Sequence, residues 1–403
     1  MMEVNPWRVL MIVHSQYQRD ARVRRYAESL LGLGHEVDVI ALADLAASSV
    51  PDTDGLNLIS ISVRRKRAGK LRSLFEWLAF SVLATWKVLN LQRRRHYQIV
   101  HIHNMPNFLV FISLPAKLSG AKVVLDIHDL VPELFSSKFA TSLDHSAMKV
   151  LHMEERVSCR FADAVILATD LFREIAVARG SCSADKAVTV LNTPDLTLFD
   201  QTRFPWTGPD SSGEFRVLYV GTVAPRYGVD QAINAMKLLH SELPGLRFLI
   251  YPRLDEGEGD ALTHLRELVR HLELESVVEF RHPVPLEEMP AVMASANVGI
   301  YTPRVDVHTD IALSIKVPEF VAMSVPIVTV RTQVMEQYFS ADQVAYFEDG
   351  DIEACANAIR GLYGDPSRAR RMADRARRFL DQHHWENERQ RYFALLSRLL
   401  EAG

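Results

Sequence analysis

Short continuous apolar runs, each followed by a loop and then by apolar residues at helical spacing, set the rhythm of the first half of the chain. The runs Val9–His14, Glu36–Ala41, Ile99–His103, Lys122–Ile127 and Ala164–Ala168 predict strands, with Val188–Leu191 closing the series. Between the first two, Ala21–Leu31 predicts a helix stopped by Gly32 and Gly34. Strands that are apolar on both faces and alternate with helices predict a parallel sheet covered on both sides, a doubly wound α/β domain.

The same order then starts again. Arg216–Val220 reads as a strand, Asp230–His240 as a helix and Leu246–Tyr251 as a strand. Between the two series lies a stretch rich in turn formers, with Pro194, Pro205, Gly208, Pro209 and Gly213. The expected organisation is a Rossmann-like domain over residues 1–195, a linker over 196–213, a second Rossmann-like domain over 214–380, and a C-terminal helix over 381–403 that packs back on the first domain. Two domains also suit 403 residues, more than one compact core holds. In open parallel sheets ligands bind beyond the carboxyl ends of the strands. Two such domains facing each other would place those ends on either side of a central cleft, so residues just after strands are the ones to examine.

Composition excludes several classes. Hydrophobic residues at 48% and charged residues at 24% are ordinary globular values, and a net charge of -4 gives no basic field for nucleic acid. Cys159, Cys182 and Cys355 are odd in number and far apart, with no Cys-x-x-Cys pair, which implies a reducing, cytoplasmic setting. The N-terminus lacks the basic region and cleavage site of a signal peptide.

Residues 64–91 carry a separate signal. Arg64-Arg65-Lys66-Arg67 and Lys70 precede Leu71, Leu74, Phe75, Leu78, Val82, Trp86 and Leu89, which trace a helical stripe. The uncharged stretch from Trp77 to Trp86 is shorter than the roughly 20 residues that span a bilayer. The stripe fits either peripheral contact with an anionic membrane surface or a helix packed on the sheet behind a solvated basic loop.

The most informative chemistry lies in Ser314-Ile315-Lys316-Val317-Pro318-Glu319-Phe320-Val321-Ala322, followed by Pro326-Ile327-Val328. Pro318 suits a first helical position and Pro326 ends the helix, which puts Glu319 in a first turn. A carboxylate there can accept from two ribose hydroxyls, while Lys316 and the helix N-terminus can meet a diphosphate. The alternative is an acid that only favours the helix dipole.

At these residues the chain resembles the retaining GT-B glycosyltransferases of the large family-4 group, over nearly its whole length. Asp20-Ala21-Arg22-Val23 with Gly34-His35-Glu36-Val37 resembles the group's first helix and second strand. His101-Ile102-His103-Asn104-Met105-Pro106 and Asp126-Ile127-His128-Asp129-Leu130-Val131-Pro132-Glu133 resemble its next two post-strand loops. Tyr219-Val220-Gly221-Thr222 with Arg226-Tyr227-Gly228, then Lys316–Pro326 and Trp385, continue the likeness.

The resemblance implies the GT-B fold and sugar transfer, with no metal or other cofactor required. The donor would be a nucleoside diphosphate sugar, UDP- or GDP-linked, held by Gly221, Thr222, Arg226, Arg253, Ser314, Ile315, Lys316 and Glu319. His103 would lie close to the reacting sugar, and His128 or Asp129 would serve as an acceptor-side base. Strand-end hydrogen bonding for His103 and helix capping for Asp129 are the structural alternatives. Ser15, Gln16, Asp20, Arg22 and Glu133 would meet a hydroxyl acceptor.

The chain also departs from the group's pattern. Ile311 stands where a first acid is common, eight residues before Glu319, and Asp306 and Asp310 are out of register with it. Ser324 replaces a usual glycine, and Thr222 and Tyr227 stand where two basic residues usually meet the diphosphate. Asp52-Thr53-Asp54 fits an Asp-x-Asp metal pattern but reads as a solvated turn after Pro51. The expected function is a retaining sugar transfer to a glycan, lipid-linked or small-molecule acceptor, in polysaccharide or glycoconjugate biosynthesis. A sugar-nucleotide epimerase and a non-catalytic nucleotide-sugar-binding protein are the competing expectations, and the oligomeric state is not read.

Overall fold

The computed structural model describes residues 6–43, 55–62, 70–139, 145–206, 208, 213–253 and 259–401, with backbone alone for 70–74. Asp52-Thr53-Asp54 and the basic run at 64–69 lie outside the described residues. The chain divides into two compact units, Met1–Asn192 with Glu388–Gly403, and Thr193–Asn387.

The first unit is built on seven described strands, β1 (Arg8–Val13), β2 (Glu36–Leu42), β3 (Leu56–Ile61), β4 (Ile99–His103), β5 (Lys122–Ile127), β6 (Ala164–Leu167) and β7 (Ala187–Thr189). They pair in parallel in the order β3-β2-β1-β4-β5-β6-β7. Chain order reverses between β1 and β4, so the switch point falls where β1, β4 and β5 end. All of β4 and all but Lys122 of β5 are buried, which is why both are mostly apolar runs, interrupted within the sheet by His101, His103 and Asp126. The unpredicted strand, β3, at the sheet edge, mixes half-buried and exposed residues with Ile61 buried, and lacks such a run.

Helix Ala21–Leu31 begins where expected, with the Asp20 carboxylate accepting from the Val23 N–H at 3.2 Å. Of the two readings of helix Lys70–Arg95, packing of the stripe on the sheet is not the one seen. Phe80, Ala84 and Val88 pack inward, whereas Phe75, Leu78, Val82, Trp86 and Leu89 are exposed. The predicted stripe is therefore not the one packed on the sheet, because the helix is apolar on two opposite faces.

From Glu388 on, helix Trp385–Glu401 belongs to the first unit. The fully buried Glu388 accepts from the Leu191 N–H at 2.9 Å, and Leu395 and Leu396 are buried beyond it.

The second unit holds six described strands, β8 (Phe215–Thr222), β9 (Leu246–Arg253), β10 (Val278–Phe280), β11 (Val298–Tyr301), β12 (Ile327–Val330) and β13 (Ala345–Phe347). Their parallel order is β10-β9-β8-β11-β12-β13, the first sheet's plan with one strand fewer. Part of the stretch read as a linker packs into this unit. Trp206 is buried, donates from Nε1 to the Ala296 carbonyl at 2.6 Å, and lies under the Arg370 guanidinium at 5.4 Å.

Candidate active site

In the first unit the polar residues converge at the ends of β4 and β5. Asp126, inside the otherwise apolar β5, is fully buried and accepts two bonds from Arg22, Nε to Oδ2 and Nη2 to Oδ1, both at 2.9 Å. His103 Nδ1 and His128 Nε2 approach the same Oδ2 at 3.2 and 3.0 Å. Burial alone would raise the Asp126 pKa, but Arg22, His128 and these hydrogen bonds hold it well below the usual carboxylate range.

The two histidines part company around this carboxylate. Burial pushes His103 down, so it is the neutral partner. Burial works against charge on His128 too, yet Asp126 outweighs it and lifts His128 above its ordinary value. The assignment that satisfies both has His103 Nδ1–H and His128 Nε2–H donating to Asp126, leaving His103 Nε2 as a buried lone pair without a partner among the described residues.

The loop after β4 is tied to the loop after β5. Asn104 accepts from the His128 N–H at 2.8 Å and donates to the Asp129 carbonyl at 2.9 Å. Asn104 also donates to Asn107, and Asn107 to the Glu154 carboxylate at 3.0 Å. Burial raises Glu154 to about 7 despite that bond.

Among the described residues, His101, His103 and Asp126 form a group of potential metal ligands, with ligand atoms within 4.8 Å of one another. Its carboxylate is already neutralised by the Arg22 guanidinium, and a dication would sit against that fixed positive charge. His101 Nδ1 is engaged with the Tyr392 hydroxyl at 3.0 Å.

The structure places the expected acceptor residues unequally. Ser15 donates to Asp20 at 3.0 Å, and burial of Asp20 is outweighed by His128 and His103, which keep its pKa low. Gln16 precedes the short turn Tyr17–Arg19. Arg22, expected to meet the acceptor, is instead buried and spent on Asp126 and on the Val190 carbonyl, so it positions the carboxylate. Glu133 is likewise buried and paired with Arg179, which also holds Glu155.

In the second unit the expected donor residues gather at the ends of β8 and β9 and on the short helix Lys316–Ala322. Thr222 and Arg253 stand opposite each other in the β8–β9 register. Arg226, on the turn Pro225–Tyr227, lies over the Tyr227 ring at 4.8 Å. Tyr301, at the end of β11, is pushed above its usual range by burial, shares a hydrogen bond with Ser314 and feels the charge of Arg226. Gly221 is half-buried beside Thr222, the last residue of β8, and Ile315 precedes the helix.

Glu319 is 5% exposed and its Oε2 receives Lys316 Nζ at 2.7 Å. The helix begins at Lys316, so Pro318 is its third residue and not its first, while Glu319 stays in the first turn. Two of the early amides are used locally, Val317 N–H by the Ser314 carbonyl and Glu319 N–H by the Ile315 carbonyl. The cation at this end is therefore carried by Lys316.

The departures have structural counterparts. Ile311 is buried, Asp306 caps the amides of His308 and Thr309, and Asp310 accepts from the Gln333 amide and side chain. Both neighbouring acids are engaged in local hydrogen bonds. Ser324 has φ 56°, the left-handed conformation that favours glycine, which accounts for the glycine usual there.

Sequence reasoning left Asp126, Asn104, Tyr301 and Tyr392 out of the site. The Asp126 signal was present, a charge in the middle of an apolar strand. Tyr392 carries no such signal, because its partner His101 is 291 positions away.

Solved structures show the same fold at low identity. Sucrose-phosphate synthase from Thermosynechococcus elongatus superposes with a TM-score of 0.80 at 19% identity, covering 98% of this chain and 100% of that one. Anabaena HepE, in complex with UDP and glucose, gives 0.72 at 16%, covering 96% and 99%. In sequence, the GDP-mannose-dependent α-(1-6)-phosphatidylinositol monomannoside mannosyltransferase of Mycolicibacterium smegmatis is 30% identical over 193 residues. That match spans 46% of this chain and 48% of the relative, about half the length of each. The profile of the glycosyl transferase 4-like domain matches residues 20–193, and that of glycosyl transferases group 1 matches residues 200–379. With these two profiles in tandem on the two units of one fold, the chain belongs to the GT-B glycosyltransferases.

Proposed function

We propose that the protein transfers a sugar, with retention of configuration, from a UDP- or GDP-sugar to a hydroxyl of a glycan, lipid-linked or small-molecule acceptor, in polysaccharide or glycoconjugate biosynthesis. The observation that carries the reading is the Lys316–Glu319 pair. A nearly buried carboxylate held by one cation, within the same unit as Ser314, Tyr301, Arg226 and Arg253, is equipped for a ribose on one side and a diphosphate on the other. Two relatives support the donor class: the name of one specifies GDP-mannose, and HepE is solved with UDP-glucose.

In this reading the bond from the anomeric carbon to the diphosphate breaks, and positive charge develops on the sugar. Lys316, Arg226 and Arg253 stabilise the departing diphosphate electrostatically. The acceptor oxygen bonds to the anomeric carbon from the same face, and its proton passes to the leaving phosphate oxygen. Asp126 is not the nucleophile, since Arg22, His103 and His128 occupy its lone pairs inside the protein. His128 is better suited than His103 to meet the substrate, being 21% exposed where His103 is fully buried. Its raised pKa favours an imidazolium that contacts an anion over a base.

Three free, buried cysteines suit a cytoplasmic setting, and no described helix is long and apolar enough to cross a membrane. A thermal-shift panel of UDP-, GDP-, ADP- and CMP-sugars tests the donor. The matching one, at 100 times its dissociation constant, is expected to stabilise the protein by about 2.7 kcal/mol. Release of nucleoside diphosphate only when acceptor is present supports transfer. Interconversion of donor sugars without acceptor would show an epimerase, and binding without turnover a non-catalytic protein, the outcome to which the buried Ile311 points.

A further inference from the structure

We infer that the first unit docks on an anionic lipid bilayer through three neighbouring elements: helix Lys70–Arg95, the segment Asn107–Leu118 and helix Ser146–Phe161. The inference stands apart from the sugar-transfer reading, because vesicle binding needs neither donor nor turnover.

The first element has already met its folding requirement. Phe80, Ala84 and Val88 supply the buried stripe of helix Lys70–Arg95, yet Phe75, Leu78, Val82, Trp86 and Leu89 form a second stripe on the opposite face. Phe75, Val82 and Trp86 are 70%, 69% and 65% exposed. Scattered exposed apolar residues are common, but these recur every three or four positions over roughly 21 Å of helix, with no charge among them. The exposed charges on the described side chains of this helix are Arg93 and Arg94, at its end.

Segment Asn107–Leu118 packs against both helices and carries the apolar surface onward, with Leu114 and Leu118 exposed. On helix Ser146–Phe161 the exposed side chains beyond Ser146 are Lys149, Val150, Met153, Arg156, Val157 and Arg160, three apolar and three cationic, with no acid. An open depression of about 460 Å³ lies between this helix and Phe111. In a chain of net charge -4, a face whose exposed charges are all positive among the described side chains, with Glu76 and Glu154 half-buried, and whose exposed surface is otherwise largely apolar is complementary to anionic headgroups over acyl chains. A neutral surface would gain from the apolar stripe but not from this charge pattern.

The test is flotation of the full chain with vesicles of phosphatidylcholine alone, or with about one third phosphatidylglycerol, at low and high salt. Binding is expected to be roughly tenfold or more tighter to the anionic vesicles and to weaken with salt. Val82→Glu with Trp86→Glu should reduce it at least tenfold, and so should Lys149→Glu with Arg160→Glu, while circular dichroism confirms that both variants remain folded. The inference is overturned if the protein floats with no vesicle, or binds neutral and anionic vesicles alike. It is also overturned if folded variants bind as the parent does. Sedimentation analysis covers the competing occupant: a dimer that Val82→Glu with Trp86→Glu dissociates, with no vesicle binding, would assign the face to a second copy of the chain.

Discussion

Arg22 and Asp126 form a buried, bidentate ion pair, 5% and 0% exposed, in which the arginine on the first helix holds the carboxylate that both histidines share. Removing the cation leaves a charge inside the protein with only histidine partners. Arg22→Met is expected to cost about 3–5 kcal/mol in urea unfolding, most of it the penalty of the orphaned carboxylate. Arg22→Met combined with Asp126→Asn should recover a large part of that loss. If the single variant unfolds like the parent, the pair is not a structural strut.

Glu154 gives a pH signature away from this pair. Burial favours its neutral form and raises it from 4.5 to about 7. Its contribution to stability is therefore complete below the unfolded value near 4.5 and is lost as pH rises through about 7, a swing on the order of 3 kcal/mol. Glu154→Gln keeps an oxygen to accept from Asn107 and cannot ionise. The variant should gain stability relative to the parent from pH 5 to 8, with the two curves converging below about pH 4.5. Chemical denaturation across that range measures both.

What could be read from the chain depended on whether a feature is local. The strands β1, β4 and β5 are predominantly apolar runs, and their ends mark His103, His128 and the Asp126 motif in the sequence alone. Helix Lys70–Arg95 marks a limit of a different kind. Periodicity shows that a helix has an apolar stripe, but with two such stripes it does not say which one faces the sheet. Arg22 illustrates the reach of a long side chain: a charged residue in a first turn looks available to a ligand until the Asp126 carboxylate, 104 residues away, is found to bind it. Lys316 and Glu319 stand three residues apart, so the sequence marks both, whereas the ion pair between them is seen only in the structure.

Two glycines admit close packing in the second unit, against Thr302 and Phe320. Gly228 has φ 56°, and a Cβ there would lie 2.1 Å from the Thr302 carbonyl oxygen. Gly228→Ala combines a left-handed backbone with a clash against main chain, so a loss of about 3 kcal/mol or more is expected in thermal unfolding. Gly299 on β11 has no such backbone strain, but a Cβ would meet the Phe320 ring at 2.8 Å. Phe320 adjoins Glu319, so Gly299→Ala should displace the helix that carries the carboxylate. Its expected cost is about 1–3 kcal/mol of stability together with weaker nucleotide binding.

The Lys316–Glu319 pair allows the two halves of the donor to be separated. If Lys316 meets the diphosphate, Lys316→Met should weaken a nucleoside diphosphate roughly tenfold while changing the affinity of the free nucleoside much less. If Glu319 accepts from the ribose hydroxyls, Glu319→Gln should weaken diphosphate and nucleoside alike, by roughly tenfold or more, since a neutral amide replaces two charge-assisted acceptors. Glu319 is nearly buried, so Lys316→Met also strands its carboxylate, and some of the loss will be shared by every ligand. Lys316→Met with Glu319→Gln removes that charge and isolates the contribution of the lysine to phosphate. Calorimetry with the diphosphate and the nucleoside on all three variants therefore decides the assignment. Equal losses for both ligands in Lys316→Met and none in Glu319→Gln would remove the pair from the donor site and leave it as a surface-side support for the helix.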